Sequence, residues 1–232
     1  MHISALDLYA KIEPLIDFYD EYEKLYSSYL HFISTLNVKS VLDVGCGNGK
    51  FVKLLQDNDF DALGIDRSQV MINRAKKLNI NVSNTELSEI PNNSYDCVVC
   101  IGDVLNYMQD DDLKTFLDNI STVLKNGGYF LADINTLLGF KMSDGSMIKN
   151  RENEFLAIDA TFEDKILTTD IVYFEKNDDR YQKNFSTIYQ YYHPLSFFKK
   201  LSKLHLLHTF DISMFSDEID KKILVFENHT DS

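Results

Sequence analysis

Residues 41–49 read Val-Leu-Asp-Val-Gly-Cys-Gly-Asn-Gly, and Lys-Phe-Val-Lys-Leu-Leu follows at once. A short apolar run enters the three alternating glycines and an amphipathic run, Lys50–Gln56, leaves them. That order describes a buried strand turning sharply into a helix. Glycine reaches backbone angles closed to other residues and lets a ligand touch the main chain. The free N–H groups of the following helix favour a polar or anionic ligand. A chain built this way belongs to the α/β class, with a ligand floor at the end of a strand.

The same alternation runs on. Strands are expected at Ser40–Val44, Ala62–Ile65, Ile80–Val82, Tyr95–Ile101 and Tyr129–Ile134, with helices at Lys50–Gln56, Gln69–Leu78 and Asp111–Lys125. In the last helix, Leu113, Phe116, Leu117, Ile120, Val123 and Leu124 form the apolar stripe. Asp110 is placed to cap its start, Asp111 and Asp112 complement its dipole, and Asn126-Gly-Gly stops it. Continuously apolar strands alternating with helices imply a parallel sheet covered on both faces. Ahead of this unit, residues 6–35 carry helical spacing, and Pro14 is expected to divide them into two helices. After residue 140 the pattern changes to β-type segments such as Ile166-Leu-Thr-Thr-Asp-Ile-Val-Tyr-Phe. A helix at Pro194–Lys203 and strands at Leu206–Ile212 and Lys222–Glu227 close the chain. The expectation is one domain over residues 1–232: a Rossmann-like, doubly wound, mostly parallel seven-stranded sheet. Residues 1–36 form a helical lid and residues 140–193 an inserted antiparallel β layer.

Acidic residues outnumber basic ones 36 to 23, and the formal net charge of −13 repels phosphate backbones and anionic membranes. No nucleic-acid partner is expected, and no apolar stretch is long enough to span a bilayer. The absence of a leader-like start and the sparse cysteines fit a reducing, cytoplasmic setting. Cys97 and Cys100 sit inside an apolar run and read as buried thiols rather than a redox or metal pair. No metal site is expected, and Asp110–Asp112 reads as a helix start.

The glycine spacing is G-x-G-x-G, which differs from the dinucleotide fingerprint G-x-G-x-x-G. Asp43 precedes the first glycine by two positions, where a carboxylate can accept from an ammonium. Asp66 closes the second strand, where a carboxylate suits the hydroxyls of a ribose.

With these residues in view, Val41-Leu-Asp-Val-Gly-Cys-Gly-Asn-Gly resembles the first motif of the class I S-adenosylmethionine (SAM)-dependent methyltransferases. Leu63-Gly-Ile-Asp-Arg-Ser is similar to the family's ribose-binding strand end, and Ser83-Asn-Thr-Glu-Leu-Ser-Glu-Ile-Pro to the adenine-flanking segment. Ser94-Tyr-Asp-Cys-Val-Val-Cys-Ile-Gly-Asp resembles the fourth strand and its loop, and Leu124-Lys-Asn-Gly-Gly-Tyr-Phe-Leu-Ala-Asp the fifth. The resemblance implies SAM as cofactor. It implies a site made of Asp43, Gly45, Cys46, Gly47, Gly49, Asp66, Arg67, Glu86, Leu87, Ile101, Gly102 and Asp103. Glu86 stands where the family usually has Asp.

Methyl transfer is an in-line displacement that needs alignment and, for a hydroxyl or ammonium, loss of a proton. Asp103, Tyr107 and His193 are the candidates for a base, and Asn135 lies near the same expected place. The return segment Tyr189-Gln-Tyr-Tyr-His-Pro resembles a branch that acts on small molecules, including glycine and amino-sugar N-methyltransferases. The acceptor is expected to be a small polar molecule methylated on N or O, walled by aromatics including Tyr9, Tyr19, Tyr22 and Tyr192. A homodimer through the inserted β layer is an alternative use of that layer's aromatics. The other readings are an RNA or protein methyltransferase, a SAM-binding protein without catalysis, and an NAD-linked oxidoreductase.

Overall fold

The computed structural model describes residues 4–16 and 19–229, and the side chains of Tyr19 and Asp20 lie outside the described set. Two helices open the chain, α1 (Ala5–Ile16) and α2 (Tyr19–Thr35). Pro14 sits inside α1 and does not divide it. A proline leaves the carbonyl four residues earlier without its helical donor. Here that carbonyl, on Ala10, accepts a hydrogen bond from the Arg74 guanidinium.

The alternating unit follows as β1 (Ser40–Val44), α3 (Lys50–Asp57), β2 (Asp61–Ile65), α4 (Gln69–Ala75), β3 (Val82–Ser83), β4 (Tyr95–Cys100), α5 (Asp110–Val123) and β5 (Leu124–Asn135). Gln109, not Asp110, holds the N-cap position of α5. The helix ends at Val123 and the next strand starts at Leu124, so Asn126-Gly-Gly belongs to β5. The register between β4 and β5 shifts there, from Tyr95 opposite Leu124 to Cys97 opposite Tyr129.

Then come α6 (Leu137–Met142), β6 (Gly145–Asn150), β7 (Glu154–Glu163), β8 (Ile166–Asn177), β9 (Arg180–Tyr191), α7 (Leu195–Phe198), β10 (Leu204–Ile212) and β11 (Lys221–Asn228). The expected ten-residue helix at 194–203 is one turn long. Phe198 enters the core beside Phe226, and the chain turns back so that Leu204 is buried too.

The main sheet has seven strands in the order β10-β11-β5-β4-β1-β2-β3. β1 through β5 run parallel, and β11 and β10 add antiparallel strands at one end. The order reverses between β1 and β4, so the crevice beyond their C-terminal ends is the topological switch point. One sheet face packs Leu42, Val98, Phe130 and Leu224 against α5 and α7. The other packs Val41, Val99, Leu131 and Val225 against α2, α3 and α4 through Leu25, Tyr29, Phe51 and Ile72. Cys97 and Cys100 are free and buried in β4.

β6 to β9 form a separate antiparallel sheet. Its inner face, with Leu156, Ile171, Tyr173 and Ile188, packs on Leu8, Ile12, Leu15 and Ile16 of α1. Among the described residues, no helix is long and apolar enough to cross a membrane.

Candidate active site

The loop after β1 places Gly45, Gly47 and Gly49 at φ of 80°, 52° and 78°. Gly47 has the clearest reason to be glycine. Its backbone is left-handed, and a Cβ there would meet no atom within 4 Å. It therefore borders open space, as a ligand floor must. Its N–H donates to Asp66 Oδ2 at 2.8 Å, while Asp66 Oδ1 accepts from the Ser68 N–H at 2.7 Å. Asp66 thus ties the glycine loop to the start of α4. Burial holds its carboxyl above the usual range, although those two N–H groups pull it back.

Asp43 lies under the same loop, 2% exposed, and its Oδ1 has no hydrogen-bond partner. Burial, reinforced by the charge of Asp66, pushes its pKa up to about 8. A buried carboxylate oxygen without a donor costs free energy. The residues present therefore fit a ligand that brings a cationic or N–H donor to the end of β1, as the amino-acid part of SAM does. Cys46 is buried beneath the loop, where a Cβ on Gly64 would strike it.

On the other side of the switch point, Ile101 is buried and Gly102 turns the chain at φ 87°. The N–H groups of Gly102 and Asp103 donate to the two oxygens of Asp133, at 2.8 and 3.2 Å. Asp133 also accepts from the Tyr29 hydroxyl at 3.2 Å. Lys221, the first residue of β11, stands 3.1 Å from Asp133 and bonds Asp103 as well. The Lys221 side chain is 1% exposed. Burial lowers its pKa, but the two carboxylates outweigh burial and the ammonium is held charged. Burial raises the Asp103 carboxyl even though Lys221 pulls the other way.

The phenols of Tyr9, Tyr22 and Tyr107 surround Asp103. Burial, then the Asp103 charge, raises Tyr9 to about 12. Burial and neighbouring groups, Asp103 among them, raise Tyr22 and Tyr107 well above 10. A Cβ on Gly102 would lie 3.4 Å from the Tyr22 ring. Burial thus favours the neutral form of all three phenols.

Helix α1 lies across the cofactor loops. Glu13 accepts from Asn48 at 3.1 Å, Asp7 accepts from Ser68 at 2.6 Å, and Glu13 pairs with Arg74 at 3.5 Å.

Other expected residues sit apart from this centre. His193 is buried, with Nδ1 3.0 Å from Asp110 and Nε2 2.9 Å from the Met108 carbonyl, and it packs on Phe197. Both of its ring nitrogens are engaged in holding the chain together, which leaves it no free edge for a substrate. Tyr192 packs edge-on against Phe140 and lines a separate groove of about 920 Å³, which none of the glycine-loop residues borders. Asn135 donates its N–H to Asn106, whose amide holds the Tyr191 carbonyl. Glu86 and Arg67 pair at 3.1 Å on the exposed surface, with Leu87 buried beside them. Tyr19 starts α2, and its side chain falls outside the described residues. No group of three or more metal-ligating side chains suited to an ion occurs among the described residues.

The sequence reading did not single out Asp133, Lys221 or Tyr29. A lone acid inside the apolar strand Leu131-Ala-Asp-Ile was the available signal, because a buried carboxylate requires partners.

Residues 41–128 match the methyltransferase domain family. Ubiquinone biosynthesis O-methyltransferase of Coxiella burnetii is 30% identical over 110 residues, 44% of this chain and 46% of that one. The chain spans about half the length of the curated relatives it matches. Among solved structures, a SAM-dependent methyltransferase of Clostridium acetobutylicum superposes with a TM-score of 0.75 at 21% identity, covering 96% of this chain and 97% of that one. The sugar N-methyltransferase KedS8 of Streptoalloteichus sp. superposes with a TM-score of 0.72 at 15% identity, covering 98% and 94%. The glycine loop at the switch point, with the unpartnered Asp43 beneath it, lies within residues 41–128, and that part of the chain is similar to the methyltransferase domain family.

Proposed function

We propose that the protein transfers a methyl group from SAM to a nitrogen or oxygen atom of a small polar acceptor. The observation that carries this reading is the unpartnered Asp43 Oδ1 beneath the open Gly47 floor. When bound, SAM supplies an electrophilic methyl group on a sulfonium. The chain's own residues do the rest. Asp43 accepts from the donor end of the cofactor, and Asp66 holds the loop while keeping lone pairs for hydroxyls. Asp133 and Lys221 fix the Asp103 turn. Lys221 occupies Asp103 Oδ1, and among the described residues no donor is paired with Oδ2. That oxygen is available to accept from an acceptor's N–H or O–H. The neutral phenols of Tyr9, Tyr22 and Tyr107 supply further donors and an apolar wall that excludes water. Helix α1 and the inserted sheet enclose the place, which suits a small molecule better than a polymer, and the charge of −13 opposes RNA.

Radiolabelled methyl transfer tests the reading, with small amines and alcohols, bulk tRNA and a protein extract as acceptors. Incorporation into a small molecule supports it. Incorporation only into tRNA or protein overturns the acceptor class, and SAM binding without any transfer overturns catalysis.

A further inference from the structure

We propose that Asn106 is a positioning residue: its side-chain amide ties the turn that carries Asp103 to both sheets, and so fixes where Asp103 and Tyr107 stand. The proposal rests on the reading that Asp103 faces the acceptor.

The turn needs to be held. Gly102 and Asp103 both have left-handed backbones, at φ 87° and 64°. A residue with a side chain keeps such an angle only where its surroundings impose it. Asp133 fixes the entry to the turn through the N–H groups of Gly102 and Asp103. The exit is a single 3-10 turn, Val104–Tyr107, and one isolated turn does not keep its shape unaided.

Asn106 fastens that exit. It is fully buried, and its own N–H closes the turn on the Asp103 carbonyl at 2.8 Å. Its Oδ1 accepts from the N–H of Asn135, the last residue of β5, at 3.0 Å. Its Nδ2 donates to the carbonyl of Tyr191, the last residue of β9, at 2.9 Å. β5 belongs to the seven-stranded sheet and β9 to the separate four-stranded one. An amide offers a donor and an acceptor at once, which is what a carbonyl on one side and an N–H on the other require. The neighbouring Tyr107 packs with Tyr9 into the cluster that α1 forms with the inserted sheet. One side chain therefore sets the Asp103 turn against the main sheet and against the layer that covers the acceptor. A misplacement of about 1 Å in such a turn can cost roughly 100-fold in rate. If Asn106 only satisfied two buried backbone groups, its loss would lower stability and leave the turn where it is.

Asn106→Asp separates the two roles. A protonated carboxyl has the shape and the hydrogen-bond pattern of the amide, with an O–H for the Tyr191 carbonyl and a C=O for the Asn135 N–H. The ionised form has acceptors only and leaves the carbonyl without a donor. Burial favours the protonated form until the pH is high. Methyl transfer from radiolabelled SAM to the amine and alcohol panel is measured for variant and wild type from pH 6 to pH 9. The variant-to-wild-type rate ratio should fall at least tenfold across that range. Taking the ratio cancels the titration of Asp103, Asp133, Lys221 and Tyr107, which both proteins share. Amide exchange of residues 103–107, relative to the wild type, should rise at least tenfold over the same range, while Val98–Cys100 in β4 keep their protection. Asn106→Leu offers neither donor nor acceptor and should lower kcat about 100-fold at every pH, with the KM for SAM within threefold of the wild type. The isosteric acid keeps the test decisive if the leucine impairs folding. A rate ratio that stays constant from pH 6 to pH 9, at whatever level, or exchange that rises equally through β4, would overturn the proposal. A wild type that methylates nothing in the panel overturns the functional reading instead, and the exchange measurement then decides the positioning role.

Discussion

Lys221 and Asp133, 88 positions apart in sequence, meet at 3.1 Å in the interior, on two strands that run antiparallel side by side. The lysine side chain is 1% exposed and the aspartate 0%. The pair carries the turn that presents Asp103, because Asp133 holds the N–H groups of both Gly102 and Asp103. A buried ion pair therefore decides where the Asp103 carboxylate points.

Replacing Lys221 by Met removes the cation that pairs with the buried Asp133 and the partly buried Asp103. Breaking a buried pair from one side costs about 3–5 kcal/mol. Urea unfolding should show a loss of that order, together with loss of methyl transfer. Adding Asp133→Asn should recover part of the stability but not the activity, since the amide presents only one acceptor to the two N–H groups. A Lys221→Met variant as stable as the wild type would remove the pair from the account.

Asp66 and Arg67 are neighbours with opposite expectations. Asp66 accepts two backbone N–H groups that shape the glycine loop. Asp66→Ala should weaken S-adenosylhomocysteine by about 1–3 kcal/mol in calorimetry. Arg67 makes an exposed pair with Glu86, and Arg67→Ala should change stability by less than about 1 kcal/mol. Equal effects of the two changes on cofactor affinity would contradict this division.

Asp43 should make the ligand-free protein sensitive to pH. Its folded pKa of about 8 lies above the ordinary carboxylate value. The folded state therefore binds the extra proton, and the stability linked to it is complete below about pH 4. That stability is lost as pH rises towards 8, at up to about 1.4 kcal/mol per pH unit. Asp43→Asn should flatten the difference between pH 6 and pH 9 in thermal unfolding, and it should also weaken the cofactor. A wild type and an Asp43→Asn variant with the same pH profile would contradict the burial argument.

Gly47→Ala separates strain from contact. The left-handed angle costs a side chain about 1–2 kcal/mol, and no protein atom stands in its way. Stability should fall by that amount, while S-adenosylhomocysteine affinity should fall further because the methyl group enters the floor. Affinity unchanged in a folded variant would mean that the cofactor does not touch this loop.

The alternating unit, the left-handed glycine loop between Asp43 and Asp66, and the antiparallel insertion were legible in the chain. Each depends on neighbours in sequence: apolar spacing of two or of three to four, a carboxylate at a strand end, a glycine where the backbone must turn. Folding added what spacing along one element does not encode. Pro14 stays inside α1 because Arg74, 64 positions away from Ala10, supplies the donor for the carbonyl that proline leaves bare. His193, read as a candidate base, packs between Asp110, Met108 and Phe197, because its segment turns back into the core after one short turn of helix. Lys221 reaches Asp103 over 118 positions, because β11 enters the sheet beside β5 in the opposite direction. Local pattern determined which segments are buried and where the glycine loop lies. Only the tertiary structure decided which charges share the interior, since a buried ion is stable only where distant strands bring its counter-ion within hydrogen-bond reach.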